Sequence, residues 1–171
     1  MSHFITTHDE NNMSLFSKTV PEARHHLKFP GAELQMIYSG HSYPPHPSDD
    51  TEIKQYAQDR QTDFPGGELT PIPGFYASIV SFPPGHQSGG PMHRSLTLDI
   101  LIVLEGEFEC VLDSGESRIL KQGDSITQRG TMHQWKNVSE NESWLRFMTF
   151  NLSLQRSFIV NGESLEPVYS H

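Results

Sequence analysis

The chain is poor in the residues that would tie it to several environments. Cys110 is the single cysteine among 171 residues, which excludes an intrachain disulfide framework and leaves nothing to argue for an oxidising compartment. It lies among alternating apolar residues, where a buried small hydrophobe is expected rather than a reactive thiol. Positive charge is also scarce: 12 Lys and Arg stand against 21 Asp and Glu, for a formal net charge of −9. No basic cluster offsets that balance locally, so a phosphate backbone would be repelled and no nucleic-acid partner is expected. Nowhere does an apolar run approach the roughly 18 residues of a membrane-spanning helix. The opening MSHFITTHDENN has neither the basic region nor the apolar core of a signal peptide, and the expectation is a cytoplasmic protein with no membrane partner. Asn-x-Ser sequons at Asn137, Asn141 and Asn151 matter only in a secretory lumen. Ser-His-Asp and Cys-His patterns, a phosphate-binding Gly loop and a dinucleotide fingerprint are all missing. A hydrolase with a protein nucleophile, a kinase and a nicotinamide enzyme are therefore disfavoured.

What is present points to strands and turns. With 13 Gly, 12 Pro and 19% charged residues, the composition suits a β-rich globule of one domain better than a helical bundle. Residues 1–70 are polar and irregular, with histidines scattered through turn-forming stretches such as SGHSYPPHPSDD. One short helix is expected there, over about residues 50–60. Asp49 and Glu52 form a capping-box start, with Ile53, Tyr56 and Ala57 as a narrow apolar stripe. AELQMIYSG (32–40) reads as a strand closed by Gly40.

From about Thr70 the rhythm is strand, turn, strand. FYASIVSF (75–82) stops at Pro83-Pro84-Gly85, and LTLDILIVL (96–104) is apolar on both faces, as for a strand covered inside and outside. Alternation continues through Phe108, Cys110 and Leu112, followed by turns at Asp113-Ser114-Gly115, at Lys121-Gln122-Gly123-Asp124 and at Arg129-Gly130-Thr131. HQWKNV (133–138) and SWLRFMTFNL (143–152) complete the set, with Trp144, Phe147 and Phe150 expected in the core. The expected division is an N-terminal arm (1–70), an all-β barrel or sandwich (71–155) and a tail (156–171).

Ten histidines make a lone His uninformative, so spacing must decide. Gly123, six residues, Gly130, two residues, His133, three residues and Asn137 form one array. Upstream, His93-Arg94-Ser95 is followed by three residues, Asp99, six residues and Gly106. These arrays resemble the paired motifs of cupins. The phrases ITTHDE, FPPG, HRSLTLD, VLEGEFECVLDSGE and GDSITQRGTMHQWKN are similar to small single-domain cupins common in fungi, many of them in gene sets that make polyketides. That resemblance implies a jelly-roll barrel, a homodimer and a small-molecule pocket beside the motif histidines, but no single reaction.

By position in the motif, His93, Asp99 and His133 take the places of metal ligands. Two imidazoles and a carboxylate suit a divalent ion such as Fe, Zn or Mn and leave open coordination positions. Three departures weaken the set. Ser95 replaces the second motif His, Asp99 stands for a Glu, which draws its carboxylate back by about 1.5 Å, and the turn before His133 is one residue short and lacks its Pro. Alternatively, His93 and His133 are hydrogen-bonded barrel residues, and Asp99 accepts from Ser95 or Thr97. His133 and His86 are the candidate acid/base residues, and Ser95 and Trp135 the candidate substrate contacts. Trp135, two residues after His133, shares its face of the strand. Glycines 106, 123 and 130 read as tight corners. The function expected is a metal-assisted lyase or isomerase tailoring an oxygenated metabolite by dehydration, decarboxylation or cyclisation. The alternatives are an Fe(II)-dependent dioxygenase and a non-catalytic small-molecule binder. The arm is expected to cover the barrel or to cross to a second subunit over the outer positions Leu96, Leu98, Ile100 and Ile102.

Overall fold

The computed structural model describes residues 2–29, 31–47, 50–62, 70–71, 73–84, 91–140, 143–154 and 158–168. Two sheets carry the structure. The larger has the order β3-β4-β5-β11-β6-β9, built from β3 (His25–Phe29), β4 (Ala32–Gly40), β5 (Phe75–Phe82), β11 (Leu145–Ser153), β6 (Thr97–Glu105) and β9 (Ser125–Arg129). The smaller has the order β10-β7-β8, from β10 (His133–Asn137), β7 (Phe108–Leu112) and β8 (Ser117–Leu120). Two hairpins lie outside them, β1 (Thr6–His8) with β2 (Ser14–Phe16) and β12 (Phe158–Val160) with β13 (Glu163–Leu165). The strands expected at 32–40 and 75–82 occur with those bounds. Strands β3 and β4, from the stretch read as an irregular arm, belong to the main sheet through the antiparallel pairing of β4 with β5.

The inner face of the large sheet is covered in two halves. Under β6 and β11 lies the small sheet, so Leu101, Val103, Leu145 and Phe147 pack with Phe108, Cys110, Leu120 and Trp135 in one buried cluster. Under β4 and β5 lies the helix α1 (Thr51–Thr62), whose Tyr56 joins Leu34, Met36 and Tyr76 in a second cluster with Val20 and Leu27. Fully burying side chains of this size contributes about 1.5–3 kcal/mol each. Ile53 and Tyr56 are buried, as the expected stripe requires, but so is Asp59. Its carboxylate accepts from Ser39 Oγ and sits 2.8 Å from His41 Nε2. Arg60 donates to the carbonyls of Pro21 and Ala23, fixing the N-terminal segment to the helix. Asp49, the expected cap, lies outside the described residues.

The corner after β6 shows why glycine is needed there. Gly106 has φ +78°, and a Cβ on it would sit 2.5 Å from Ser139 Oγ and from the Trp144 carbonyl. Asn137, the last residue of the second motif, ties the same end together. Its amide donates to the Pro83 and Ser143 carbonyls, and its oxygen accepts from the Ser139 N–H.

Burial departs from expectation at Trp144, Phe150 and Leu96. Among the described residues nothing covers the outer face of β6, and Ile100, Ile102 and Leu104 are 43%, 44% and 38% exposed. Phe150, opposite Ile100 on β11, is likewise exposed, and Trp144 lies at the exposed approach to that strand. Of the three aromatic residues expected in the core, only Phe147 faces inward. Leu96, taken as an outer position, is buried.

Candidate functional site

The two motif histidines are brought together by backbone pairing. His93 precedes β6 and His133 opens β10, and each N–H donates to the other's carbonyl at 2.9 Å. Their rings lie 4.3 Å apart between centroids. Each ring is also anchored at Nδ1: His93 to the Pro91 carbonyl at 3.0 Å and His133 to the Thr131 carbonyl at 2.8 Å. A carbonyl only accepts, so Nδ1 carries the hydrogen in both rings, and the neutral forms keep their lone pair on Nε2. Thr131 is itself held, its hydroxyl donating to the buried Gln128, whose amide reaches Cys110 Sγ at 3.4 Å. His133 is 3% exposed. Burial lowers its pKa to about 4; the Thr131 carbonyl opposes that shift and His93 adds to it. Trp135 lies with its ring 4.7 Å from that of His133 and packs edge-on against Phe108 within the core cluster. Cys110 is buried, and burial raises its pKa to about 11, as for an inert thiol.

Asp99 belongs to a second group. It is buried on the inner face of β6, with one oxygen 2.6 Å from the Asn151 amide nitrogen and the other 3.4 Å from Ser95 Oγ. Ser95 Oγ lies 2.7 Å from Thr97 Oγ1, so the hydroxyls expected as possible donors to Asp99 are in place. Burial raises the Asp99 pKa; hydrogen bonds from Thr97, Asn151 and Ser95, and the nearby His93, pull the other way. Asn151 has its own neighbour in Thr149 Oγ1, 3.3 Å away.

His93, Asp99 and His133 thus share one end of the barrel without converging as ligands. Among the described residues no group of three His, Cys, Asp or Glu side chains could hold a metal ion. The anchored imidazole pair suits two ligand places, but the third does not fit as arranged, because the Asp99 oxygens are engaged by Asn151 and Ser95. Ser95 sits where a further imidazole would be, and it serves the carboxylate instead. His86 lies outside the described residues. A cleft of about 370 Å³, lined in part by Glu105, Glu107 and Lys121, opens at the far end of β6, roughly 20 Å along the strand from Asp99, and has no part in this site.

The sequence did not point to Asn151, Gln128 or Thr149 as members of the site. The signal exists only as cross-strand register: Gln128, Asp99 and Asn151 lie opposite one another on β9, β6 and β11.

A sandwich of two antiparallel sheets, with paired histidines at one end and glycine corners at the other, defines a jelly-roll protein of the cupin type. The model of the Cupin domain matches residues 78–147. The chain is 37% identical over 156 residues to phomopsin biosynthesis cluster protein C' of Diaporthe leptostromiformis, covering 88% of this chain and 77% of that one. It is 36% identical over 163 residues to the cupin-domain-containing oxidoreductase fogC of Aspergillus ruber, covering 95% and 76%. With oryzines biosynthesis cluster protein J of Aspergillus oryzae the identity is 34% over 167 residues, covering 95% and 87%. The chain belongs to the cupin family, among relatives from fungal secondary-metabolite clusters. No helix among the described residues is long and apolar enough to cross a membrane.

Proposed function

We propose that this cupin is a tailoring enzyme that moves a proton on a small oxygenated metabolite, as a lyase or isomerase, with His133 as the base. The observation that carries the proposal is the Nδ1–H of His133 held on the Thr131 carbonyl, which reserves Nε2 for accepting a proton. Burial keeps that ring neutral, so it is ready as a base without first losing a proton. His93 packs beside it and is anchored in the same way. Asp99, buried and hydrogen-bonded to Asn151, gives the same end of the barrel a carboxyl whose pKa burial raises. A base and a carboxyl held at one end of a low-dielectric barrel are suited to removing a proton beside a carbonyl and returning one elsewhere, as dehydration, decarboxylation or cyclisation requires.

The test is complementation of a strain lacking the gene, with metabolites compared by mass spectrometry. Wild-type protein should convert the accumulated compound, and His133→Ala should leave it in place. Conversion by His133→Ala at the wild-type rate would overturn the assignment and favour a non-catalytic binder. A second reading, an oxidoreductase such as an Fe(II)-dependent dioxygenase, is favoured by the names of relatives such as fogC. It requires oxygen consumption with turnover and loss of activity under nitrogen.

A further inference from the structure

The inner face of the large sheet carries a polar row that runs across five strands. Register places Gln128 of β9 opposite Asp99 of β6, Asp99 opposite Asn151 of β11, Asn151 opposite Tyr76 of β5, and Tyr76 opposite Ser39 of β4. One pleat along, Ser78 lies opposite Thr149. Most of the row is satisfied internally. Asn151 serves Asp99, Ser39 serves Asp59, and Gln128 serves Thr131 and Cys110. The exceptions are Tyr76 and Ser78. Each is 1% exposed, and neither hydroxyl finds a hydrogen-bond partner among the described residues. Two neighbouring buried donors on one face of one strand, both unmet, ask for an acceptor that the described residues do not supply.

We propose that the Tyr76 and Ser78 hydroxyls form a donor pair that receives the carbonyl or hydroxyl oxygen of a neutral, otherwise apolar small molecule, placing it alongside Asp99 and Asn151. The proposal rests on the reading of this face as the substrate site and names the part of the substrate that β5 holds. Neutrality follows from the surroundings. Asp99 lies in the row and Asp59 of α1 meets its Ser39 end, so an anionic group would meet two buried carboxyls and no buried cation in the row. Burial and Asp59 keep the Tyr76 hydroxyl protonated and able to donate. The apolar remainder follows from Met36, Leu34 and Val80, which pack around Tyr76. Tyr76 and Ser78 are assigned here as substrate-positioning residues.

The experiment is a binding titration of isotope-labelled protein followed by NMR, with three probes of similar shape: acetophenone, ethylbenzene and benzoate. Acetophenone should give saturable shifts in the amides of residues 76–80 and 149–151 at concentrations up to about 10 mM. Tyr76→Phe combined with Ser78→Ala should weaken that binding at least about fivefold while the melting temperature holds or rises, since no protein partner is lost. Ethylbenzene should bind wild type and double variant alike, and benzoate should not bind. Absence of saturable shifts with acetophenone, an unchanged dissociation constant in the double variant, or a melting temperature that falls with binding intact would each overturn the proposal. Failure of the proton-transfer reading looks different. A His133→Gln protein that retains turnover in the complemented strain removes the base, and the acetophenone result then decides the donor pair separately.

Discussion

Along the same four central strands, the two ends of the inner face are made of different material. At the level of Val103 the row reads Val103, Phe147, Val80 and Leu34 across β6, β11, β5 and β4. Four residues back along β6, about 13 Å away, the row reads Asp99, Asn151, Tyr76 and Ser39. The strands are paired at both levels, with one irregularity in β4 between Met36 and Tyr38, so hydrogen bonding between strands does not distinguish them. The apolar level joins the two buried clusters, with Val80 packed against each. The polar level and the pleat beside it bury the Asp99 carboxylate and the Tyr76 and Ser78 hydroxyls, the last two with no partner among the described residues, an arrangement that costs stability unless a ligand uses it. One end supplies the stability on which the other end draws.

Substitutions at the two levels should separate those roles. The largest effect is expected at the apolar level: Phe147→Ala should lower the unfolding free energy by about 3–5 kcal/mol, read from urea denaturation. Tyr76→Phe, on the same face, should change it by no more than about 1 kcal/mol. A destabilisation by Tyr76→Phe equal to that of Phe147→Ala would abolish the contrast. Next come His133→Ala and His93→Ala, each expected to lower conversion at least about tenfold with the circular-dichroism spectrum unchanged; a variant with full conversion leaves the site.

The pH dependence sharpens the same comparison. The folded His133 pKa, about 4, lies below its ordinary value of 6.5. Above 6.5 the ring is neutral in both states and its contribution is constant. As pH falls from 6.5 towards 4, the unfolded chain takes up a proton that the folded chain refuses, so stability falls through that window. The acid limb of activity should lie near 4 rather than 6.5. In a His133→Gln protein the loss of stability between 6.5 and 4 should shrink, and unchanged acid sensitivity would show that another group sets it.

Metal uptake is a smaller expected effect. Because Asp99 is engaged by Asn151 and Ser95, protein dialysed after reconstitution with iron, zinc or manganese should retain less than one ion per chain, and Asp99→Ala should not change that content. Stoichiometric metal lost on Asp99→Ala would show that the carboxylate turns into the ligand set. The last comparison concerns the outer face. Ile100, Ile102, Leu104 and Phe150 form an exposed apolar stripe, which a second copy of the chain is expected to cover. Light scattering should give a dimer for wild type and a shift towards monomer for Ile102→Lys.

Much of the fold was legible in the residues. The aromatic and β-branched run at 75–82, glycine at 106, 123 and 130, and the spacing around His93 and His133 are local signals, and each of those glycines adopts positive φ. What was not legible depended on which segments become neighbours. Strand β6 is apolar on both faces, and nothing in it says that only the face with Leu101 and Val103 would be covered. Nothing in the helix marks Asp59 for burial, which depends on Ser39 of β4 and His41 just after it.

The sequence by itself determined the cupin class, the corners of the barrel and the pair of histidines, because turn geometry and motif spacing act over a few residues. Only the tertiary structure decided the state of the carboxylate. Asp99 meets Asn151 through a register between residues 52 apart in the chain, and burial there makes it one member of a hydrogen-bonded row. The same register leaves Tyr76 and Ser78 side by side, with no acceptor for either hydroxyl among the described residues, a pairing that no local pattern in the residues encodes.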